Sequence, residues 1–175
     1  MLKNLTNEKL VQLNIEAEDW EDAVRKASQP LIDEGKVKQS YLEDIVVGVK
    51  ELGPYIVLTE HVALPHARPE AGALESAIGI VTLRTPVCFG NASNDPVKYL
   101  FPLSAVDNEK HLEALAELAG LLEDEQFFRM LDKAKSAKEV MDYITRYGGE
   151  ICTKHWCAVV RAWAAVCSLR LRLIR

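Results

Sequence analysis

One stretch of this sequence carries most of the structural information: Gly53-Pro-Tyr-Ile-Val-Leu-Thr-Glu-His-Val-Ala-Leu-Pro-His-Ala-Arg-Pro-Glu-Ala-Gly72. Its first two residues, Gly53 and Pro54, are typical of a chain that leaves a helix. Residues 55–59 and 62–64 are short apolar segments, and they predict two extended segments. They lead into an irregular turn in which His66 lies between two prolines. The stretch therefore predicts a pair of extended segments that end on a rigid turn bearing a histidine.

His66 is the candidate reactive residue of this turn. Pro65 and Pro69 restrict the backbone around it, so we expect the imidazole to be exposed at the edge of a sheet and oriented by the backbone. A neutral imidazole nitrogen can attack a phosphoryl group and later release it. Arg68, two residues further on, offers a planar guanidinium for phosphate oxygens. The residues alone leave open a second interpretation, a histidine that only hydrogen-bonds within its loop.

A metal site is another interpretation of the histidines. His61 and His66 are close in sequence, and His111 is able to approach them in a folded chain. Zinc sites usually combine narrower, repeated spacings with Cys, Asp or Glu ligands. The sequence has no such set, so we expect no metal, and a metal hydrolase is kept only as a weaker hypothesis.

The residues before this stretch predict one strand and two helices. Alternation of apolar and polar residues over 11–16 predicts a half-buried strand. Apolar residues at spacings of three and four over 19–34 predict a helix that Pro30 kinks or splits. Ser40 and Glu43 have the spacing of a capping box, which predicts a second helix over about 41–51.

The residues after this stretch predict two more strands and two helices. Residues 77–83 and 97–103 are typical of buried strands, and the short connection between them indicates antiparallel neighbours. A helical pattern begins at His111, and a capping box at Ser136 predicts a last helix over about 137–147. Strands that alternate with helices predict a single α/β domain, with a mixed sheet of about five strands flanked by helices on both sides.

Composition and charge exclude several classes of protein. The length of 175 residues, with 49% hydrophobic and 27% charged residues, is typical of one globular domain. Residues 1–20 do not resemble a secretory signal, and no apolar stretch reaches the roughly 20 residues of a membrane span, so we expect a cytoplasmic protein. Residues 1–150 hold 16 basic and 26 acidic residues, a net charge of −10. This charge argues against a nucleic-acid partner and favours a neutral or basic protein.

Residues 150–175 differ from the rest of the chain. Residues 151–175 contain five Lys or Arg and no acid, and they hold three of the four cysteines. We place the domain over residues 1–149 and expect residues 150–175 to be vector-derived or disordered. A basic amphipathic helix for a membrane surface and a partner-binding segment are the alternatives. So few cysteines predict reduced thiols rather than a disulfide framework.

Five motifs along residues 1–147 together resemble a known family. They are Gly53-Pro-Tyr55, Leu64-Pro-His-Ala-Arg-Pro69, Val81-Thr-Leu83, Asn94-Asp-Pro-Val97, and Ala105-Val-Asp107 followed by His111. With these motifs the chain resembles the IIA proteins of the fructose and mannitol phosphotransferase superfamily, and most closely its ascorbate-type branch. The resemblance implies a mixed sheet between helices and phosphorylation of His66.

The same resemblance implies the partners. Phosphate arrives from the phosphohistidine of the small carrier HPr, which enzyme I charges from phosphoenolpyruvate. It leaves to a cysteine of the cognate IIB protein, which phosphorylates the sugar as the membrane IIC component imports it. No cofactor, nucleotide or metal is implied, and relatives predict a monomer or a homodimer. The alternative is a regulatory module that keeps the phosphohistidine and controls a transporter or a transcription factor by binding.

The resemblance also assigns supporting roles around His66. His111 matches a second histidine that hydrogen-bonds the reactive ring or its phosphate, with a polar residue of the first helical turn as the alternative. Arg68 is the candidate phosphate ligand, against a solvated loop cation. Lys50 aligns roughly with an active-site arginine of the mannitol branch, and the replacement weakens that assignment. Because IIC and IIB are expected to select the sugar, ascorbate or a related pentose or hexose derivative is a family-level expectation only.

Overall fold

A computed structural model describes residues 2–147, except for the side chains of residues 108, 110–114 and 117. The expectation for residues 150–175 lies outside the described residues. The helices are α1 (Trp20–Asp33), α2 (Gln39–Leu52), α3 (Asn108–Leu122), α4 (Glu125–Lys133) and α5 (Ala137–Tyr147). The strands are β1 (Val11–Ile15), β2 (Val57–Thr59), β3 (Val62–Ala63), β4 (Ala77–Ile78), β5 (Ile80–Val87), β6 (Val97–Leu100) and β7 (Leu103–Ser104). Single 3₁₀ turns cover Leu2–Asn4, Glu8–Leu10 and Pro69–Ala71.

The main sheet has five strands in the order β1-β5-β6-β3-β2. β1 runs parallel to β5, and β3 runs parallel to β6. The β5–β6 and β2–β3 pairs are antiparallel. The predicted mixed sheet, including its antiparallel β5–β6 neighbours, is therefore confirmed.

Helices cover both faces of this sheet. On one face α1 and α2 bury a core that includes Leu31, Ile45 and Val81. On the other face the helices α3, α4 and α5 bury a second core that includes Ile80 and Phe127. The consecutive residues Ile80 and Val81 are both fully buried because side chains of a strand alternate between two covered faces. None of the helices described over residues 2–147 is long and apolar enough to cross a membrane.

A break at Gly79 divides the single strand that was predicted over residues 77–83. A Cβ atom at Gly79 would lie 2.7 Å from Cγ of Pro102, which is closer than real side chains approach. The Gly79 N–H donates to the carbonyl of Pro102 at 2.8 Å. Beyond these two residues, β4 and β7 leave the main sheet and form a separate antiparallel ribbon. The close approach of glycine and proline thus separates the ribbon from the sheet.

The helix α1 continues through Pro30, so the predicted split of this helix is wrong. Proline lacks the N–H that would reach the carbonyl four residues earlier, that of Lys26. The side-chain amide of Gln12 donates to this carbonyl instead, at 3.3 Å. Pro30 lies in the last turn of the helix, which continues to Asp33. The carbonyl of Pro30 accepts from Glu34 N–H at 3.0 Å.

The two predicted capping boxes differ in outcome. Half of the predicted box is present at the start of α5, where the Glu139 N–H donates to the Ser136 hydroxyl at 3.4 Å. The Glu139 carboxylate accepts from Lys135 N–H at 3.2 Å rather than from Ser136 N–H. The box at Ser40 and Glu43 is wrong, because α2 already begins at Gln39 with Lys38 as its N-terminal boundary. The Ser40 hydroxyl donates instead to the carbonyl of Ala71 at 2.6 Å.

Candidate functional site

The turn that carries His66 follows β3 and is held by its neighbours on two sides. Leu64 N–H donates to the carbonyl of Ile56 at 2.8 Å, which extends the β2–β3 hairpin. Leu103 N–H donates to the carbonyl of Pro65 at 2.9 Å and so joins the turn to β7. The backbone on the N-terminal side of His66 is therefore fixed by hydrogen bonds as well as by proline.

His66 is buried, with 3% of the residue exposed. Its Nδ1 lies 2.7 Å from the carbonyl oxygen of Leu64. A carbonyl only accepts, so in the neutral ring Nδ1 carries the proton and Nε2 keeps the lone pair. The predicted exposure of the imidazole is wrong, because this local hydrogen bond turns the ring back toward the chain. The prediction that the backbone orients the ring holds.

Burial lowers the pKa of His66 below its usual value, because an imidazolium ion loses its hydration in the protein. The hydrogen bond to Leu64 acts on the pKa in the opposite direction and is the smaller of the two effects. The ring is therefore neutral at physiological pH. A neutral ring whose Nε2 carries an electron pair rather than a proton is the form that can act as a nucleophile.

Two tyrosines hold the backbone on the C-terminal side of His66. The Tyr55 hydroxyl donates to the carbonyl of His66 at 3.2 Å. The Tyr41 hydroxyl accepts from Ala67 N–H at 3.1 Å and lies 3.0 Å from the carbonyl of Ala67 and 2.8 Å from that of Leu103. Burial raises the pKa of Tyr41 to about 12, so it keeps the proton that one of these carbonyls accepts. The sequence analysis missed both roles, although Tyr55 belongs to one of the five motifs.

The structure gives the surroundings of Arg68 and Lys50, and for His111 only its position in the chain. Arg68 is half-buried and leads into the 3₁₀ turn Pro69–Ala71. Lys50 pairs with Glu21 on α1, a carboxylate that also binds Arg25. His111 lies in the first turns of α3, and its side chain is outside the described residues. The roles of Arg68, Lys50 and His111 at the phosphate remain predictions.

His61 lies in the turn between β2 and β3 and has a structural role. Its φ of 65° is the left-handed conformation that the tight turn requires. Its Nδ1 donates to the carbonyl of Pro96 at 2.7 Å, which joins the turn to the loop before β6. Among the side chains that the structure describes, no group of three or more His, Cys, Asp or Glu is placed to hold a metal ion.

Comparison with known proteins identifies the family. Residues 4–147 match the family described as phosphoenolpyruvate-dependent sugar phosphotransferase system, EIIA 2. This chain belongs to the EIIA 2 family. The ascorbate-specific PTS system EIIA component of Escherichia coli (strain K12) is 36% identical over 144 residues, which are 82% of this chain and 94% of that relative. The predicted family is confirmed.

Two solved structures show that the similarity extends to the fold of this EIIA protein. A candidate PTS IIA from Streptococcus mutans superimposes with a TM-score of 0.78 at 32% identity, covering 85% of this chain and 96% of that chain. The mannitol-specific cryptic phosphotransferase enzyme IIA of Escherichia coli gives a TM-score of 0.74 at 34% identity, covering 83% and 98%. Membership of the family makes the chain a phosphoryl carrier of a sugar phosphotransferase system.

Proposed function

We propose that His66 is the phosphoryl acceptor of this EIIA protein. In this proposal Nε2 accepts phosphate from phospho-HPr and passes it to a cysteine of the cognate IIB protein, in the cytoplasm. The observation that carries the proposal is the 2.7 Å hydrogen bond from Nδ1 to the carbonyl of Leu64, which leaves Nε2 as the nucleophilic nitrogen. The ascorbate-specific relatives support ascorbate as the sugar that the complete system imports.

The transfer itself is a displacement at phosphorus. The electron pair of Nε2 forms a new N–P bond as the N–P bond of the donor breaks and its electron pair returns to the donor nitrogen. The His66 ring gains positive charge in this step, and the Leu64 carbonyl stabilises that charge through Nδ1–H. In the second step the IIB thiolate attacks phosphorus, and the electron pair of the N–P bond returns to Nε2. No metal, nucleotide or other cofactor takes part in the proposed steps.

The burial of His66 determines how closely the phosphate donor and the phosphate acceptor must dock. With 3% of the residue exposed, phosphate transfer requires a protein that docks closely over the ring. Exclusion of bulk water also protects the phosphohistidine from hydrolysis between the two encounters. Arg68, two residues away, is proposed to neutralise phosphate oxygens, and His111 is proposed to hydrogen-bond the phosphorylated ring.

The test is phosphate transfer from labelled phosphoenolpyruvate through enzyme I and HPr to the native protein and to His66→Gln. We expect the native chain to gain one phosphate that is stable in base and labile in acid, and the variant to gain none. His61→Gln is the matched control, because it removes a histidine only five residues away in the sequence. The control should accept phosphate at the native stoichiometry.

Transfer to the IIB protein tests the second step. Adding the purified cognate IIB should move the label from His66 to a IIB cysteine, whose phosphate has a different stability in acid and base. Equal labelling of the native chain and His66→Gln would overturn the assignment of the acceptor. Labelling of His66 without onward transfer to IIB would instead favour the regulatory alternative.

A further inference from the structure

Three consecutive residues, Pro65, His66 and Ala67, are held by hydrogen bonds from different parts of the molecule. The carbonyl of Pro65 accepts from β7, through Leu103 N–H at 2.9 Å. The carbonyl of His66 accepts from the Tyr55 hydroxyl at 3.2 Å. The peptide of Ala67 is held by Tyr41 on α2. Of these contacts, the one from Tyr55 acts on the nucleophilic residue itself.

The Tyr55 ring also contacts the imidazole. The two ring centroids are 5.8 Å apart and the planes meet at 80°, an edge-to-face arrangement that favours one orientation of each ring. Tyr55 follows the Gly53-Pro54 end of α2, and its ring folds back over that helix. It therefore contacts His66 through both its hydroxyl and its ring.

The packing of Tyr55 depends on a glycine inside α2. A Cβ atom at Gly48 would lie 3.1 Å from the Tyr55 hydroxyl oxygen and 3.4 Å from its Cε1. The shorter distance is tighter than most real contacts of a Cβ atom, so a side chain at residue 48 would shift the Tyr55 ring by a few tenths of an ångström. Glycine is a poor helix former, and its presence in the middle of α2 is explained by the space that Tyr55 occupies.

We propose that Tyr55, packed against Gly48, is a positioning residue that orients His66 for phosphoryl transfer. The inference rests on the proposed function of His66. The hydrogen bond from Nδ1 to Leu64 spans only two residues, so its geometry depends on the backbone angles of the turn. The hydrogen bond to the His66 carbonyl and the ring contact together restrain the turn and the imidazole, which keeps the proton on Nδ1 and aims Nε2 at the donor. Small displacements of a reacting group can reduce a rate by as much as about 100-fold.

Two substitutions test the proposal, one through the Tyr55 hydroxyl and the other through the position of the Tyr55 ring. Tyr55→Phe removes the hydroxyl and keeps the ring, whereas Gly48→Ala keeps the hydroxyl and displaces the ring. We expect each variant to accept phosphate about tenfold more slowly at saturating phospho-HPr, with an unchanged KM for phospho-HPr. The unfolding midpoint of Gly48→Ala should stay close to the native value, because the better helix propensity of alanine offsets the cost of shifting the Tyr55 ring.

Matched controls exist on the opposite face of the sheet. Gly120→Ala makes the same change in α3, where a Cβ atom would meet no atom within 4 Å. Tyr143→Phe removes another half-buried hydroxyl, one that donates to Asp124 at 2.5 Å. Both controls should accept phosphate at the native rate. Slower phosphate acceptance in either control would overturn the proposal. It would also be overturned if the loss of rate in Gly48→Ala equalled the fraction of that variant that is unfolded, because the effect would then be merely structural.

A spectroscopic measurement separates this proposal from the proposed function. Nitrogen-15 NMR of the histidines reports which ring nitrogen of His66 carries the proton, without any phosphate transfer. We expect one tautomer, with the proton on Nδ1, in the native chain and a mixture of tautomers in Tyr55→Phe and Gly48→Ala. Native-like spectra and rates in these variants would overturn the positioning role. If the tautomer changes while His66→Gln still accepts phosphate, Tyr55 orients the His66 ring but the proposed acceptor fails.

Discussion

At His66, burial and a hydrogen bond act on one ring in opposite directions. Loss of hydration favours the neutral imidazole, while the Leu64 carbonyl favours the charged one, and burial is the larger effect on the pKa. The result is a histidine that combines a fixed tautomer with a lowered pKa. For a phosphoryl acceptor this keeps the nucleophilic form available as the solution becomes mildly acidic.

The lowered pKa of His66 predicts how the stability of the protein depends on pH. The unfolded chain takes up a proton near the ordinary histidine pKa, and the folded chain does so only at lower pH. Below the unfolded pKa, protonation therefore favours the unfolded state, and the free energy of unfolding falls as pH decreases toward the folded pKa. His66→Gln should lack this contribution. Urea unfolding of both proteins from pH 8 to pH 5 measures it, and a difference that stays constant with pH would contradict the prediction.

At the scale of elements, the loop between β5 and β6 is organised by one carboxylate. Asp95 accepts backbone N–H groups from Phe89, Gly90 and Asn91, at 3.0, 2.7 and 2.8 Å. The same loop supports the β2–β3 turn, since the carbonyl of Asn94 accepts from His61 N–H at 2.8 Å. Asp95 thus links two turns that border the central strands of the sheet.

Replacing Asp95 should destabilise the protein without changing its chemistry. Asp95→Ala leaves three backbone donors without their acceptor, and we expect it to lower the free energy of unfolding by about 2 kcal/mol. Asp95→Asn keeps one acceptor oxygen and should lower it by about 1 kcal/mol. Urea unfolding measures both values, with the exposed Glu123→Ala as control. Phosphate acceptance per folded molecule should stay native, and a native unfolding midpoint in Asp95→Ala would show that the loop does not depend on this carboxylate.

At the scale of the whole molecule, a few large apolar side chains are exposed. Among the described residues, four large hydrophobic side chains are exposed: Val47, Leu52, Leu74 and Val106. The first two lie on α2, beside the glycine that packs against Tyr55. Leu74 and Val106 lie at the end of the β4–β7 ribbon, whose other end is tied to Pro65. Val106 follows the strand whose Leu103 binds the turn that carries His66, so we expect it to lie within the surface on which a protein partner docks.

Placing a charge on this surface should weaken docking. We expect Val106→Glu to raise the KM for phospho-HPr about tenfold, equivalent to about 1.4 kcal/mol of binding, and to leave the rate at saturation unchanged. The unfolding midpoint should stay native, because 43% of Val106 is already exposed. Gln126→Glu on α4 adds the same charge on the face of the sheet opposite α2 and is the control. A native KM in Val106→Glu would place the docking surface elsewhere.

Elements with local signals could be predicted from the amino-acid sequence alone. The helix α1 begins after Asp19, whose side chain accepts from Asp22 N–H at 2.9 Å, and α2 ends at Gly53 with a φ of 79°. The turn bearing His66 was recognisable because its prolines act on neighbouring backbone angles. The motifs around it identified the family. The helix α4 was missed, although Asp124 caps it and Phe127 anchors it in the core.

Features that depend on residues far apart in the chain could not be predicted without the three-dimensional fold. Pro30 is accommodated because Gln12 supplies the missing donor, and Ser40 caps no helix because Ala71 takes its hydrogen bond. The burial of His66 and its support by Tyr41 and Tyr55 likewise follow from which segments the fold brings together. Local patterns specify backbone angles and periodicity. They do not specify which distant group satisfies a given donor or carbonyl, since that depends on how the helices pack on the sheet.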